Sequence, residues 1–442
     1  MKELFQNVFF KMGMIVILIL LLLIPAVMVQ GLIHERMSRQ DEAVFEVSSK
    51  HAGQQSIMGP VLTIPFDKVR QLKRENGTYK SVKDRHYFHI LPEDLTIDGS
   101  IKPEKRKRGI FEVVVYGSKL KVNGSFNNYN FDDYGLSAEN LLLDKAFFTI
   151  GISDLKGVRD QVKIKINDST IMSNPGVISN DFVASGLHIR YPLSDLPGNL
   201  EFNFDLSLNG SESIMFTPIG KVTNVTLISP WVDPSFDGSF LPKKRKIDKN
   251  GFKANWKVLH LNRNYPQSWV NSQHHASESE FGVNLKLPVD VYQKSMRVAK
   301  YAILFIVLTY LVFFFVELLN RILIHPIQYI LVGIALVLFY LLMLAFSEQM
   351  YFDLAYVLAA TMTISLVLFY CKSILKSWAL AGMTATILAI LYSFIFIIIQ
   401  MQDLALLFGS LGIFLILGVT MYFSRKIDWF SLGESDKKEL KN

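Results

Sequence analysis

The sequence predicts an α-helical polytopic membrane protein with six spans and a large extracytoplasmic β-rich domain. One apolar segment lies near the N-terminus at 12–33, and five more are crowded into 299–425. Between them, 34–298 is polar and shows stretches with a period of two, which is typical of strands. About 20 apolar residues span roughly 30 Å of hydrocarbon, so each apolar segment is long enough to cross a bilayer.

The first span is predicted at 12–33, with residues 1–11 in the cytoplasm. No Asp, Glu, Lys or Arg lies between Lys11 and Glu35. A basic start followed by an apolar run also describes a secretory signal, and 29–31 weakly satisfies a cleavage site. Because the apolar core is longer than the about 7 to 15 residues of a signal, we favour a retained anchor.

The five later segments are predicted to be helices, because backbone groups inside lipid must be hydrogen-bonded within their own segment. Their approximate ranges are 299–319, 326–346, 353–371, 377–399 and 403–423.

Basic residues in the short connections predict the orientation, because Lys and Arg are retained on the cytoplasmic side. The alternate connections, 347–353 and 400–403, contain no basic residue. Both termini, including 426–442, are therefore expected inside, and 34–298 outside the cytoplasm. The basic residues behind this orientation are Lys2, Lys11, Arg321, Lys372, Lys376, Arg425 and Lys426.

The polar domain is expected to be an antiparallel β-sandwich of one or two lobes. Apolar and polar residues alternate in 200–208, as in a strand with one buried face. Asn-Gly pairs at 123–124 and 209–210 follow such runs and are expected to mark turns. The single cysteine, Cys371, excludes an intramolecular disulfide, so packing alone must hold the domain together.

Several stretches of the chain form specific signatures, at 55–65, 108–111 with 115–116, 151–158, 251–256, 325–329, 402–410 and 425–429. Together they resemble the CreD family of bacterial inner-membrane proteins, also described as cell envelope integrity proteins. The resemblance implies a place in the bacterial inner membrane and a role in envelope stress, colicin tolerance and β-lactam response. It supplies no catalytic residue.

Catalytic and metal chemistry has little support in the sequence. His86 and His89, with His274 and His275, could offer metal ligands, but residues three apart on a strand face opposite ways. The sequence contains no nucleophile elbow, no S-x-x-K accompanied by its companion motifs and no phosphate-binding loop. We therefore expect no enzyme activity, no metal and no cofactor.

Two basic runs are candidate binding sites for an anionic surface, such as lipid head groups or an envelope polymer. The alternative is that both are solvated hairpin tips. Expected partners are the lipid bilayer and an anionic lipid, an envelope polymer or another envelope protein, but no nucleic acid; the oligomeric state stays open. The two runs are Lys105, Arg106, Lys107 and Arg108, and Lys243, Lys244, Arg245 and Lys246.

Glu317 is the clearest ionisable residue inside a predicted span, and Arg321 is placed to pair with it at i,i+4. The sequence as a whole favours a non-catalytic protein of envelope integrity whose outer domain binds a partner or polymer. The alternative is a transporter or lipid-handling protein, although no matched pair of interrupted helices favours transport.

Overall fold

The computed structural model describes residues 8–73, 75, 79–127, 131, 134–136, 140–194, 198–285, 291–320, 322–401 and 404–425. The chain folds into two compact units. The membrane unit comprises the described residues of Met1–Gln40 and Val289–Asn442, and the β domain comprises those of Asp41–Pro288.

Five helices of the described chain are long and apolar enough to cross a membrane. They are α1 and α3 to α6, whereas the apolar stretch of α7, Leu406–Tyr422, is shorter. The predicted fold class is confirmed. The predicted number of spans is six, one more than the number of described helices that reach this length. The helices are α1 Val8–His51, α2 Val291–Lys300, α3 Ala302–Asn320, α4 Pro326–Ser347, α5 Phe352–Leu375, α6 Trp378–Gln400 and α7 Ala405–Ser424.

Small and aromatic side chains pack the membrane unit. A Cβ at Gly333 of α4 would lie 2.1 Å from Leu22 Cδ1 of α1 and 2.4 Å from Tyr310 Oη of α3. The absence of a side chain there lets three helices approach closely, as is typical of membrane bundles. Phe305 and Tyr392 add an aromatic contact between α3 and α6, with ring centroids 4.5 Å apart.

The β domain consists of a nine-stranded and an eight-stranded sheet within the described residues. The first has the order β13-β17-β11-β1-β5-β9-β8, with β2 between β1 and β16, and the second has the order β14-β15-β12-β3-β4-β10-β6-β7. The strands are β1 Gln55–Lys73, β2 Tyr79–Ile90, β3 Asp94–Arg108, β4 Phe111–Asn127, β5 Phe147–Ile152, β6 Lys163–Ile166, β7 Ser169–Met172, β8 Asn174–Pro175, β9 Gly186–Arg190, β10 Asn199–Ser211, β11 Ser213–Phe216, β12 Val222–Ser229, β13 Ser235–Gly238, β14 Lys244–Asp248, β15 Gly251–Leu259, β16 Ser268–Val270 and β17 Phe281–Asn284.

Both sheets contribute to one apolar core. Phe126 of β4 and Phe148 of β5 lie with ring centroids 5.5 Å apart, and Phe236 of β13 and Trp256 of β15 are 5.6 Å apart. Most strand pairs are antiparallel, but β1 with β11 and β3 with β12 are parallel. The sheets are therefore mixed, where the sequence predicted antiparallel sheets.

The two Asn-Gly pairs expected to mark turns lie inside strands. A Cβ at Gly124 of β4 would be 2.0 Å from the Asp94 carbonyl oxygen, and one at Gly210 of β10 would be 2.3 Å from Tyr116 Oη. Glycine is present at these positions because a neighbouring strand or ring comes close, which is its other common role in sheets. The turn between β3 and β4 falls instead at Gly109, with φ +61°.

Candidate functional site

The first basic run lies at the end of the hairpin formed by β3 and β4, where Arg108 opposes Phe111. Arg108 forms a two-bond fork with Glu46 of α1, its Nε and Nη2 each 2.8 Å from a carboxylate oxygen. Hydrogen bonds from Lys50 and Arg108 lower the pKa of Glu46. Arg108 is therefore held by an internal partner.

The other members of this run also have carboxylates nearby. Glu112 lies 3.4 Å from Lys105 and 3.8 Å from Lys107, and Glu104 lies 3.6 Å from Arg106. All these side chains remain exposed, so the pairs are loose. The first run is consequently neutralised in large part by its own neighbours.

The second basic run is different, because it lies on the exposed edge strand β14 of the eight-stranded sheet. Among the described residues, Lys243, Lys244 and Arg245 have no carboxylate within ion-pair distance, while Lys246 lies 3.5 Å from Asp248. Charged residues on an edge strand also oppose pairing with a second sheet. This run is the less compensated of the two.

A cavity of about 340 Å³ opens on the face of the eight-stranded sheet that points away from the core. Gly117 of β4 lines it, opposite Lys102 of β3 and Asn209 of β10. A Cβ at Gly117 would lie 3.4 Å from Arg159 Nη1 and 3.6 Å from Asn209 Oδ1. The missing side chain therefore leaves the depression over which the guanidinium of Arg159 extends.

Cationic side chains dominate the rim of this cavity. Lys102, Arg106, Lys119 and Arg159 line it, against the one carboxylate of Glu104. In the part of the chain that the structure describes, Glu104 lies near Arg106 and the other three cations have no carboxylate within ion-pair distance. The local charge is accordingly positive.

His51, the last residue of α1, also lines the cavity. Its Nε2 is buried and no described residue forms a hydrogen bond with it, whereas the backbone of Tyr116 interacts with the ring and opposes the lowering of its pKa. Burial and the nearby charge of Arg106 lower the pKa of His51, so the ring is neutral near pH 7. A neutral imidazole thus lines a cavity that is otherwise rich in cations.

Sequence reasoning missed this cavity, except that Arg106 belongs to the first basic run. Its residues come from α1, β3, β4, β10 and the segment after the short 3-10 helix Leu155–Gly157, so no spacing in the chain unites them. One signal in the sequence could have indicated the cavity: Lys102, Glu104 and Arg106 alternate along β3 and therefore lie on one face of the strand.

The histidines considered as metal ligands do not come together. His86 Nδ1 accepts a hydrogen bond of 2.8 Å from Asn271, and His89 lies between Thr63 Oγ1 at 2.9 Å and Asp181 Oδ2 at 3.0 Å. Burial lowers the pKa of His89, although the bond to Asp181 opposes this effect. Across the described residues, no group of three or more His, Cys, Asp or Glu is arranged to hold a metal.

Glu317 forms the buried centre of a polar cluster in the membrane unit. Lys11 of α1 donates to its Oε1, which also accepts the Ile324 N–H at 2.9 Å, and Tyr329 donates to Oε2 at 2.8 Å. Arg321, the partner expected from the sequence, lies outside the described residues. The pair with Lys11 joins α1 to α3.

A second ion pair joins α1 to the helix bundle. Arg36 Nε lies 3.4 Å from Glu348 Oε1, which also accepts a hydrogen bond of 3.3 Å from Tyr292. Lys11 and Arg36 are about 37 Å apart along a helix that rises 1.5 Å per residue. The first helix is thus attached to the bundle at two points slightly further apart than the roughly 30 Å of hydrocarbon.

These features define a multi-pass membrane protein with a large β-rich domain. A family described as "Inner membrane protein CreD" matches residues 7–430. The chain is also 32% identical over 437 residues to Inner membrane protein CreD of Escherichia coli (strain K12), covering 98% of this chain and 96% of that protein. The chain belongs to the CreD family, which confirms the resemblance seen in the motifs, and it is a multi-pass protein of the inner membrane.

Proposed function

We propose that this chain is a non-catalytic protein of cell-envelope integrity and stress tolerance, including colicin tolerance and β-lactam response. Its β domain lies outside the cytoplasm and binds an anionic lipid or envelope polymer. The main supporting observation is that Lys243, Lys244 and Arg245 are exposed beside the edge strand β14 without a described carboxylate partner.

The geometry of β14 favours a surface rather than a small ligand. Lys246 lies opposite Lys253 of β15 in the register, so two like charges are adjacent on one face. Such a pair is unfavourable alone and is relieved by an anion. Each basic residue near an anionic membrane contributes about 1 kcal/mol, an attraction that added salt screens.

A non-catalytic role is supported by the burial of a relay of catalytic type among the described residues of the β domain. Thr63, His89 and Asp181 are connected like a nucleophile, a base and an acid. Thr63 and His89 are fully buried, so no substrate reaches the hydroxyl. We expect the relay to stabilise the fold and to have no catalytic role.

The proposal is tested by dye entry under detergent stress in a strain that lacks this chain. Complementation with Lys243→Ser/Lys244→Ser/Arg245→Ser is expected to leave the envelope leaky, while the unmodified chain restores the barrier. Purified variant protein is expected to bind vesicles of phosphatidylglycerol more weakly, and the difference should shrink as salt is added.

The matched control removes three other exposed cations, Lys163, Lys165 and Lys257, as Ser substitutions. Equal loss in both triple variants would show that only total charge matters and would contradict a role for β14. Full restoration of the envelope barrier by the β14 variant would also contradict a role for β14.

The side of the membrane is tested separately. Lys249→Cys places an exposed thiol in the turn after β14, and the native Cys371 is buried. A membrane-impermeant maleimide should label the variant, and not the parent chain, in intact spheroplasts. Labelling only after lysis would place the β domain in the cytoplasm.

A lipid-handling role is the second candidate, because the membrane unit has an apolar cavity of about 560 Å³. Side chains of α3, α6 and α7, including Val312, Leu391 and Leu415, line it. Apolar walls of this kind suit an acyl chain. Movement of labelled phospholipid between leaflets of proteoliposomes would support this role, and leaflet exchange no faster than in empty liposomes would exclude it.

A further inference from the structure

We propose that the cavity over Gly117 binds a phosphate group, held by the guanidinium of Arg159 and the ammonium groups of Lys102 and Lys119. The group comes from free phosphate and its small monoesters or from the head group of a membrane lipid. The site deepens the proposed function by giving the β domain a defined ligand, and it is distinct from β14.

The positive charge of the cavity favours the oxyanion of a phosphate group. Two arginines, Arg106 and Arg159, offer planar donor forks that match the oxygens of phosphate, and the two lysines add mobile point charges. Four cations face the single carboxylate of Glu104. A phosphate monoester, with a charge of about −1.5 to −2, offsets this excess better than a single carboxylate does, whereas the phosphodiester of a lipid head group carries a single negative charge.

The size of the cavity indicates that the phosphate is not alone. The volume of about 340 Å³ lies within the range of about 300 to 1,000 Å³ that is usual for small-molecule sites. Gly117 leaves room above the strand, and the side chain of Asn209 lines the cavity on the β10 side. A phosphate group and a small polar substituent, such as glycerol, would occupy this space.

His51 couples the site to pH. The ring lines the cavity, so a bound phosphate places negative charge beside it and favours its protonated form. The location of His51 at the C-terminal end of α1 also favours a positive ring. Binding should therefore take up a proton at His51. The charged groups that face this ring or share its cavity are Lys102, Glu104, Arg106, Lys119 and Arg159.

The first experiment is calorimetric titration of the full-length protein, purified in a phosphate-free detergent, with inorganic phosphate and separately with glycerol 3-phosphate. Vesicle flotation with phosphatidylglycerol, against phosphatidylcholine, tests the lipid source. Saturable binding of either soluble probe supports the site; tighter glycerol 3-phosphate binding indicates a substituent, and phosphatidylglycerol binding that soluble phosphate displaces indicates a lipid head group.

Two variants test the cavity, one by changing its charge and the other by reducing its space. Arg159→Gln removes a charge, and Gly117→Val fills the depression while keeping a residue that strands favour. Each is expected to weaken binding at least about tenfold, because charge-assisted hydrogen bonds are lost. The matched control Lys257→Gln removes an exposed cation on the same sheet and should change affinity less than about twofold.

The proton is measured by repeating the phosphate titration in buffers of different ionisation enthalpy. The unmodified protein should take up more protons per phosphate than His51→Gln does under the same conditions. Because both proteins bind the same phosphate, the proton exchange of phosphate itself cancels in this comparison. Equal uptake by both proteins would remove His51 from the site.

No saturable binding of either soluble probe by the unmodified protein would overturn the proposal, as would equal loss in Lys257→Gln. Thermal melting of each variant shows whether it has folded. The envelope assay on β14 does not depend on these titrations, so failure of the cavity is distinguishable from failure of the proposed function.

Discussion

Cationic side chains have different surroundings in the two units of the molecule. In the membrane unit, Lys11 is 9% exposed and its partner Glu317 is 5% exposed. In the β domain, the fork between Arg108 and Glu46 has better geometry, yet the side chains are 59% and 37% exposed. The comparison indicates that the loss of stability on removing one partner of an ion pair depends more on access to water than on the distances within the pair.

The physical reason is solvation. A buried charge has lost its water and depends on its partner, so removing the partner leaves a cost of several kcal/mol. An exposed charge is solvated again as soon as its partner is gone. We therefore expect variants of the two units to behave differently even where the contacts look alike.

The largest effect is expected at the buried pair. Lys11→Met should lower the free energy of unfolding by about 3 to 5 kcal/mol, because the buried Glu317 is left without its ion-pair partner. Lys11→Met/Glu317→Gln should recover part of the loss, since a Gln oxygen still accepts hydrogen bonds. Unfolding in mixed detergent micelles measures each step.

The control lies on the same helix. Arg39 bonds Glu35 one turn away, and both side chains are more than half exposed. Arg39→Met should hardly change the unfolding energy. If Lys11→Met were equally mild, the pair with Glu317 would not be a buried one in the membrane-inserted protein.

An intermediate effect is expected from acid in the β domain. Burial lowers the pKa of His89 in the folded protein. Below about pH 6.5 the unfolded chain therefore binds a proton at this residue more readily than the folded chain does, and the free energy of unfolding decreases. The pKa of Asp181 is lowered by its bond to His89, so its contribution is present at neutral pH and is lost at lower pH, below its usual value of 3.8.

The melting temperature should therefore decrease between pH 7.5 and pH 5. His89→Gln should show a smaller decrease over this range, while His275→Gln, at an exposed position, should follow the unmodified protein. A slope unchanged by His89→Gln would mean that other groups cause the acid sensitivity.

The sequence predicts the helices well because a membrane span has a strong local signal of length and apolarity. It predicts the strands of the β domain less completely. Gly124 and Gly210 each follow an asparagine, a pair that is typical of turns, yet both lie in strands. Glycine is needed there because the Asp94 carbonyl and the Tyr116 ring approach from distant parts of the chain. Parallel pairing of β1 with β11 likewise joins residues 159 positions apart, which no local pattern reveals.

The candidate sites follow the same rule. The two basic runs are visible as sequence, but only the structure shows that Glu46 holds one of them and that no described carboxylate holds Lys244 or Arg245. The cavity over Gly117 has only a partial sequence signature, the alternation of Lys102, Glu104 and Arg106, because its other residues converge from separate strands and from the end of α1.

The smallest effect is expected at the exposed fork, and it is the sharpest test of the comparison. Glu46→Gln removes the carboxylate that holds Arg108, yet the guanidinium remains in contact with water and the melting temperature should stay unchanged. The freed cation should instead produce a small increase in binding to phosphatidylglycerol vesicles, which disappears in Glu46→Gln/Arg108→Gln. A clear loss of stability in Glu46→Gln would contradict the solvation argument, since the fork would then depend on its partner as the buried pair does.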